Sequence, residues 1–279
     1  MKAHKYVSNP VDESGYVKWS NIENETWTNL INRQSDIVKD RACDQYMEGL
    51  KILNFENEVP QIPELNKKLN ECTGWGVAPV PALIQPKEFF ELLANKRFPA
   101  ATFIRTPEEM DYLQEPDIFH EVYGHTPLLT NQAYADFMEK FGSIALKADP
   151  KDRRRLFRLF WFTIEFGLLK TKDGFKAYGG GILSSIGETQ FALSDNNEKQ
   201  KFDILNVLRT PYRIDIMQPL YYYLEDFDEL FTILDHDILG ILAEAKRLGD
   251  FDPKYPPKVK KVEEDDCDDG PMGSMGMGC

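Results

Sequence analysis

The chain has 279 residues, with 46 acidic and 33 basic side chains, a net charge of −13, 42% apolar residues, four cysteines and four histidines. That balance repels nucleic acid and anionic membrane, excluding both as general partners, while the apolar share is enough for a packed core. No apolar run approaches the roughly 20 residues that cross a bilayer, the start Met1-Lys2-Ala3-His4-Lys5 lacks a signal-peptide core, and the cysteines form no C-x-x-C pair, so a soluble, cytoplasmic protein with free thiols is expected.

Residues 1–19 read as an N-terminal extension. From Ser20 to about Leu53, Trp27, Leu30, Ile31, Ile37, Val38, Tyr46, Met47 and Leu50 recur at helical spacing, which predicts one long helix or two consecutive ones capped by Ser20. Prolines then punctuate the chain, and short helices fit at Pro63–Glu71 and Pro86–Asn95, each with proline in its first turn. Phe98–Ile104 is apolar and ends before Pro107, as a short strand would.

Asn131–Ala148 carries Tyr134, Phe137, Met138, Phe141, Ile144 and Ala145 on one helical stripe. The basic cluster Lys151, Arg153, Arg154, Arg155 and Arg158 reads as the solvated face of a helix that continues, almost wholly apolar, from Asp152 to Leu169. Gly179-Gly180-Gly181 follows a strand-like Phe175–Tyr178 and precedes a helix near Ser184. It matches neither G-x-G-x-x-G nor a P-loop, so close backbone approach is the better reading. Asp226–Leu248 is predicted as one amphipathic helix. After Pro257 the acidic, Gly/Met-rich residues 258–279 cannot bury apolar area and form a tail expected to be disordered. The fold class is mainly α with a few short strands, in one catalytic domain over residues 20–257.

Two of the four histidines fall in Pro116-Asp-Ile-Phe-His120-Glu-Val-Tyr-Gly-His125. Histidine is the commonest metal ligand, so clustering in a histidine-poor chain is informative. Five residues on a regular α-helix put two side chains about 140° apart, unlike the i, i+4 pair of a zinc protease. The two can converge if the helix ends between them, and Gly124 could take the left-handed turn that ends it. Glu165 lies in the apolar Trp161-Phe-Thr-Ile-Glu-Phe-Gly167, where an unpaired carboxylate would cost several kcal/mol and so needs a cationic partner, an arginine or a metal. Two histidines and a carboxylate make the facial triad of mononuclear non-haem iron(II).

These stretches, with Lys176-Ala-Tyr-Gly-Gly-Gly-Ile-Leu-Ser-Ser185 and Gln218-Pro-Leu-Tyr-Tyr222, closely resemble the tetrahydropterin-dependent aromatic amino acid hydroxylases, in particular the compact bacterial phenylalanine 4-hydroxylases. The match runs in order from about Cys72 to Leu230. The resemblance implies that His120, His125 and Glu165 bind Fe(II), and that tetrahydrobiopterin or a related tetrahydropterin and O2 are co-substrates. It implies that the pterin stacks on Phe89, meets the backbone at Leu83 and Ile84, and reaches Glu121 through water. It implies further that Arg105 grips the amino acid carboxylate and Asp117 orients Arg105, that Trp161 lines the substrate pocket, and that Ser184 steadies a ligand histidine. Alone, Phe89 would pass for core and Arg105 for a surface charge.

Phe160 stands where many relatives have tyrosine, and Leu113 where animal enzymes have a hydroxyl residue. Trp161 is similar to the phenylalanine and tyrosine hydroxylases, and Ile214 falls where tyrosine hydroxylases bear an aspartate, which suits an unsubstituted phenyl ring. The expected reaction is L-phenylalanine to L-tyrosine, in phenylalanine catabolism. Hydroxylation of tryptophan or tyrosine and a catalytically silent iron-binding or amino-acid-sensing module are the alternatives. The tail lacks apolar heptads, so a monomer is expected.

Overall fold

The computed structural model describes residues 6–81, 84–111, 113 and 115–257. Two consecutive helices, α1 (Asn21–Val38) and α2 (Asp44–Leu53), open the domain. The Ser20 side chain accepts a hydrogen bond from Glu23 N while Ser20 N donates to the Glu23 carboxylate, a reciprocal cap that satisfies two free donors at the helix start. The chain breaks between α1 and α2 because residues there pair with a distant strand: Ala177 N donates to Arg41 O and Cys43 N to Ala177 O. α3 (Ile62–Thr73) has Pro63 in its first turn and stops at Gly74, whose φ of 78° favours glycine.

Strand β1 (Gly76–Val80), helix α4 (Pro86–Ala94) and strand β2 (Arg97–Ala101) make a parallel βαβ unit, with Val77 opposite Phe98. α4 lies hard against α5 (Gln132–Lys147): a Cβ on Gly142 would sit 2.6 Å from Ala94 N. Residues 6–19 do not hang free as an extension. Asn9 N donates to Thr102 O at 2.7 Å, Thr102 Oγ1 donates to Asn9 O, and Tyr6 stacks on Phe103 at 4.9 Å.

The basic run opens α6 (Arg153–Phe160), which ends well short of Leu169. At Trp161 the backbone widens into a π-helical turn, Trp161–Glu165, with Phe166 N bonded to Trp161 O at 2.8 Å. Leu168 then enters β3 (Leu168–Thr171), and burial on both sides of that strand explains why the sequence kept an unbroken apolar pattern. β4 (Gly174–Ala177) pairs antiparallel with β3, and α7 (Gly180–Leu183) and α8 (Ile186–Leu193) follow. β5 (Glu198–Lys201), α9 (Ile204–Arg209) and β6 (Leu220–Leu224) complete a four-stranded sheet of order β4-β3-β6-β5.

The predicted helix Asp226–Leu248 is two, α10 (Glu229–Ile233) and α11 (Ile238–Leu248). They separate at Asp235-His236-Asp237, where the Asp237 carboxylate accepts from Gly240 N at 3.0 Å and starts the second helix. One core rich in aromatic rings runs through helices and sheet, from Trp27 and Tyr46 to Tyr221 and Tyr222. Among the described residues no helix is long and apolar enough to cross a membrane. The predicted tail 258–279 lies outside the described residues.

Candidate active site

His120 and His125 meet although five residues separate them, and the reason is the helix that carries them. Phe119–His125 is π-helical, a form whose i→i+5 hydrogen bonding places residue i+5 over residue i. The helix does not end at Gly124, which takes no left-handed turn; the expectation of a helix end between the ligands is corrected. The missing side chain of Gly124 serves packing instead, since a Cβ there would lie 2.7 Å from Gly180 O and 3.2 Å from Ser184 Cβ. The second π-helical turn ends on Glu165, so two π-helical turns bring the three candidate ligand side chains together.

The Nε2 atoms of His120 and His125 are 3.4 Å apart, and the Glu165 carboxylate lies 3.7 Å from the first and 3.4 Å from the second. Three donors at about 2.1 Å from a shared ion, at angles between about 90° and 110°, would be spaced by roughly 3.0–3.4 Å, so a contraction of a few tenths of an ångström fits these residues to a metal. Two imidazoles and one carboxylate suit Fe(II). The Gly179–Gly181 turn closes the back of this cluster. A Cβ on Gly180 would overlap the His125 ring, 2.7 Å from Nε2, and one on Gly181 would lie 2.9 Å from Glu165 Oε2.

Glu121 offers a second carboxylate, its ligand atom and those of the two histidines all lying within 4.8 Å of one another. Electrostatics separates the two acids. Burial alone would raise Glu165, but His125, His120 and the Gly181 N–H outweigh it and hold the carboxyl below its usual range. Glu121 is pushed well above that range by burial and then by Glu165 and Asp117. The surroundings of Glu165 therefore favour the anionic form that a metal ligand needs, and those of Glu121 favour its neutral form. His120 is brought down to about 4, chiefly by burial, which keeps its imidazole neutral as a ligand must be. Ser184 Oγ donates to Gly180 O at 2.8 Å, so it accepts from His120 Nδ1–H at 2.9 Å and leaves the Nε2 lone pair for the metal. Phe98 of β2 packs on the His125 ring at 4.8 Å.

Arg105 is buried, not a surface charge. Its Nε and Nη2 donate to the two oxygens of Asp117 at 2.8 and 2.9 Å, and Arg105 N and His120 N donate to the same carboxylate. Burial would raise the fully buried Asp117, but Arg105 and these donors hold it below its usual range. Asp117 thus ties the guanidinium to the helix bearing the first metal ligand. Among the described residues Nη1 makes only a long 3.5 Å contact to Met110 O, and Arg105, Ser184, Phe119, Met110 and Met217 line a cavity of about 370 Å3. A carboxylate entering there meets guanidinium donors that Asp117 does not use.

Trp161 is half-buried between Tyr212, stacked at 4.3 Å, and Phe166 at 4.4 Å, and its indole N–H donates to Gln218 Oε1 at 3.2 Å. Phe89 is half-buried on the first turns of α4, with Phe90 and Phe160 packed edge-on against it at 5.6 and 5.2 Å. Ile84 is half-buried just before that helix, and Leu83 lies outside the described residues. Ile214 is misplaced by the sequence reading. It is 69% exposed and lines a surface groove with Lys151, Arg154 and Arg158, because Arg213 forks onto Asp215 and the loop turns outward. The ring that meets Trp161 from this loop is Tyr212, which no pattern in Thr210-Pro-Tyr-Arg213 distinguishes from core.

A family model for biopterin-dependent aromatic amino acid hydroxylases matches residues 3–247. Phenylalanine-4-hydroxylase of Pseudomonas aeruginosa is 51% identical over 259 residues, covering 92% of this chain and 99% of that protein. The fold matches the apo structure of the cold-active phenylalanine hydroxylase from Colwellia psychrerythraea 34H with a TM-score of 0.87 at 52% identity, over 89% of this chain and 97% of that one. Phenylalanine hydroxylase of Chromobacterium violaceum, solved with bound oxidized Fe(III), matches with a TM-score of 0.82 at 37% identity, over 87% and 91% of the two chains.

Proposed function

The chain belongs to the biopterin-dependent aromatic amino acid hydroxylases, and from that premise we propose that it hydroxylates L-phenylalanine to L-tyrosine with O2 and a tetrahydropterin. The observation that carries this reading is the convergence of His120, His125 and Glu165 beside a buried arginine with donors to spare. Bound Fe(II), O2 and the reduced pterin supply the oxidising chemistry. The chain's own residues supply position. His120, His125 and Glu165 would hold the metal, and Ser184 fixes the tautomer of His120.

Arg105 receives the substrate carboxylate in a bidentate contact, and Asp117 keeps its guanidinium in plane. Trp161 forms a rigid wall against the phenyl ring, which takes up no hydrogen bond and so leaves no buried polar group unpaired. Phe89 offers a flat face for the pterin, and contacts from Glu121 and from the backbone at Leu83 and Ile84 belong to this reading. A monomer acting in the cytoplasm, in phenylalanine catabolism, belongs to the same proposal. Free Cys43 and Cys72 support a reducing compartment, and sizing and fractionation test the oligomeric state and the location.

The decisive assay gives purified protein Fe(II), tetrahydropterin, O2 and equal phenylalanine, tyrosine and tryptophan. Tyrosine formed from phenylalanine ahead of the competing products is expected. No product from protein shown to hold iron would favour a silent sensor. Glu165→Ala should lose iron-dependent turnover with its circular dichroism unchanged, and retained turnover would overturn the triad.

A further inference from the structure

Gln218 belongs to a motif of the sequence that the site description leaves without a task. It is 2% exposed, in the loop between α9 and β6, and every polar atom it owns beyond the peptide carbonyl is engaged. Its Nε2 donates to Arg213 O at 2.8 Å and Ile216 O at 3.0 Å, its backbone N donates to Glu188 Oε1 at 3.3 Å, and its Oε1 accepts from Trp161 Nε1 at 3.2 Å. The amide cannot flip, because a flip would set NH2 against the indole N–H and an oxygen against two carbonyls. Glu188 is itself buried in α8 and holds the hydroxyl of Tyr221 on β6. The acceptor that Trp161 uses is therefore anchored to a helix, a strand and its own loop.

Tyr212, stacked at an interplanar angle of 14°, and the tilted ring of Phe166 pack on the indole but make no directional contact with its N–H. The hydrogen bond to Gln218 at the ring edge supplies that direction. We propose that Gln218 is a positioning residue for the hydroxylation, setting the in-plane orientation of the Trp161 indole and so the size of aromatic ring the pocket accepts. The proposal rests on the reading of Trp161 as a wall of the substrate pocket. Sequence position alone could not suggest it, since residues 161 and 218 are joined only by the fold.

The test has two arms. In apoprotein carrying 15N-labelled indoles, the Trp161 signal is assigned by its loss in Trp161→Phe. Gln218→Leu, which offers no acceptor, should move that signal and speed its exchange with solvent about tenfold, the weight of one buried hydrogen bond. In the wild type the same N–H should exchange more slowly than that of a solvent-exposed indole. An unmoved signal in Gln218→Leu overturns the proposal, and should that variant fail to fold, a wild-type Trp161 N–H that exchanges as fast as a solvent-exposed indole overturns it equally. In the loaded enzyme, Gln218→Leu should raise KM for phenylalanine about tenfold with kcat changed less than about twofold, and should lower the preference for phenylalanine over tryptophan. A moved indole signal with unchanged preference refutes the role in ring-size choice. Wild-type protein that turns over no aromatic amino acid refutes the substrate-pocket reading instead, while the indole arm still reads out the contact.

Discussion

Gly180→Ala adds one methyl group where the chain can least accommodate it. The new Cβ would lie 2.4 Å from His125 Cε1 and Nδ1 and 2.7 Å from Nε2, whereas ordinary carbon contacts need about 3.5 Å, so the ring must retreat by about 1.1 Å. The ring cannot retreat freely, because Phe98 packs on it at 4.8 Å and the side chain is fully buried. Metal bonds tolerate shifts of about 0.2 Å, so the displaced nitrogen loses its grip. Changes in the surroundings of a ligand weaken metal binding about 10–100-fold, and a shift of this size belongs at the upper end, about 2.7 kcal/mol. The overlap itself costs about 1–3 kcal/mol of fold stability. The assay is anaerobic titration of apoprotein with Fe(II) by calorimetry, with melting followed by circular dichroism. Gly187→Ala is the control: its Cβ would meet only the flexible end of Met217 at 3.0 Å, and its metal affinity should stay within about twofold of wild type. A folded Gly180→Ala protein with undiminished affinity would refute the claim that this glycine exists to admit the His125 ring.

Asp117→Asn should destabilise the protein by about 3–5 kcal/mol, since it strips the counter-charge from buried Arg105 and turns an NH2 group toward existing donors; a loss below about 1 kcal/mol in urea unfolding would refute that account. The wild-type pair also has a pH signature: because the folded Asp117 lies below its usual value, its contribution is intact above about pH 4 and lost only as the pH falls further. His120 titrates in a higher window. Folded at about 4 against about 6.5 in the unfolded chain, it makes the unfolded state bind the proton first, so apoprotein stability should fall between pH 6.5 and 4 by up to about 3 kcal/mol. His120→Gln apoprotein should show a shallower fall, and identical melting curves across that window would contradict the assignment.

Much of this molecule is written locally. Ser20 with Glu23, Pro63 and Pro86 in first turns, and the stripe from Tyr134 to Ala145 announce helices where they occur, because caps and periodicity act over a few residues. The failures are also local in cause. Asp226–Leu248 keeps helical periodicity through Asp235-His-Asp237, so only the Asp237 cap, which accepts from Gly240 N, reveals the break. The apolar run through Leu169 reads as helix because a strand buried on both faces and a buried helix share one pattern.

The site divides the same way. Composition and spacing single out His120, His125 and Glu165, because a histidine-poor chain that clusters two histidines, and buries a carboxylate among apolar residues, must compensate that charge. Which geometry joins them was decided by tertiary packing: two π-helical turns and a triple glycine remove the mismatch that regular α-helix would impose on a five-residue spacing. Only the resemblance singles out Arg105, which alone would pass for a surface charge, because its burial against Asp117 is a contact that the fold makes. Ile214 and Tyr212, two residues apart, exchanged roles because a loop's direction depends on what anchors it, here Arg213 on Asp215 and Gln218 on Trp161. The sequence by itself determined the donors, the helices and the acidic surface, all set by chemistry within reach of a few residues. Only the tertiary structure decided which donors face one another and how the loop around Trp161 is held, because those contacts join residues far apart in the chain and no local energy term selects them.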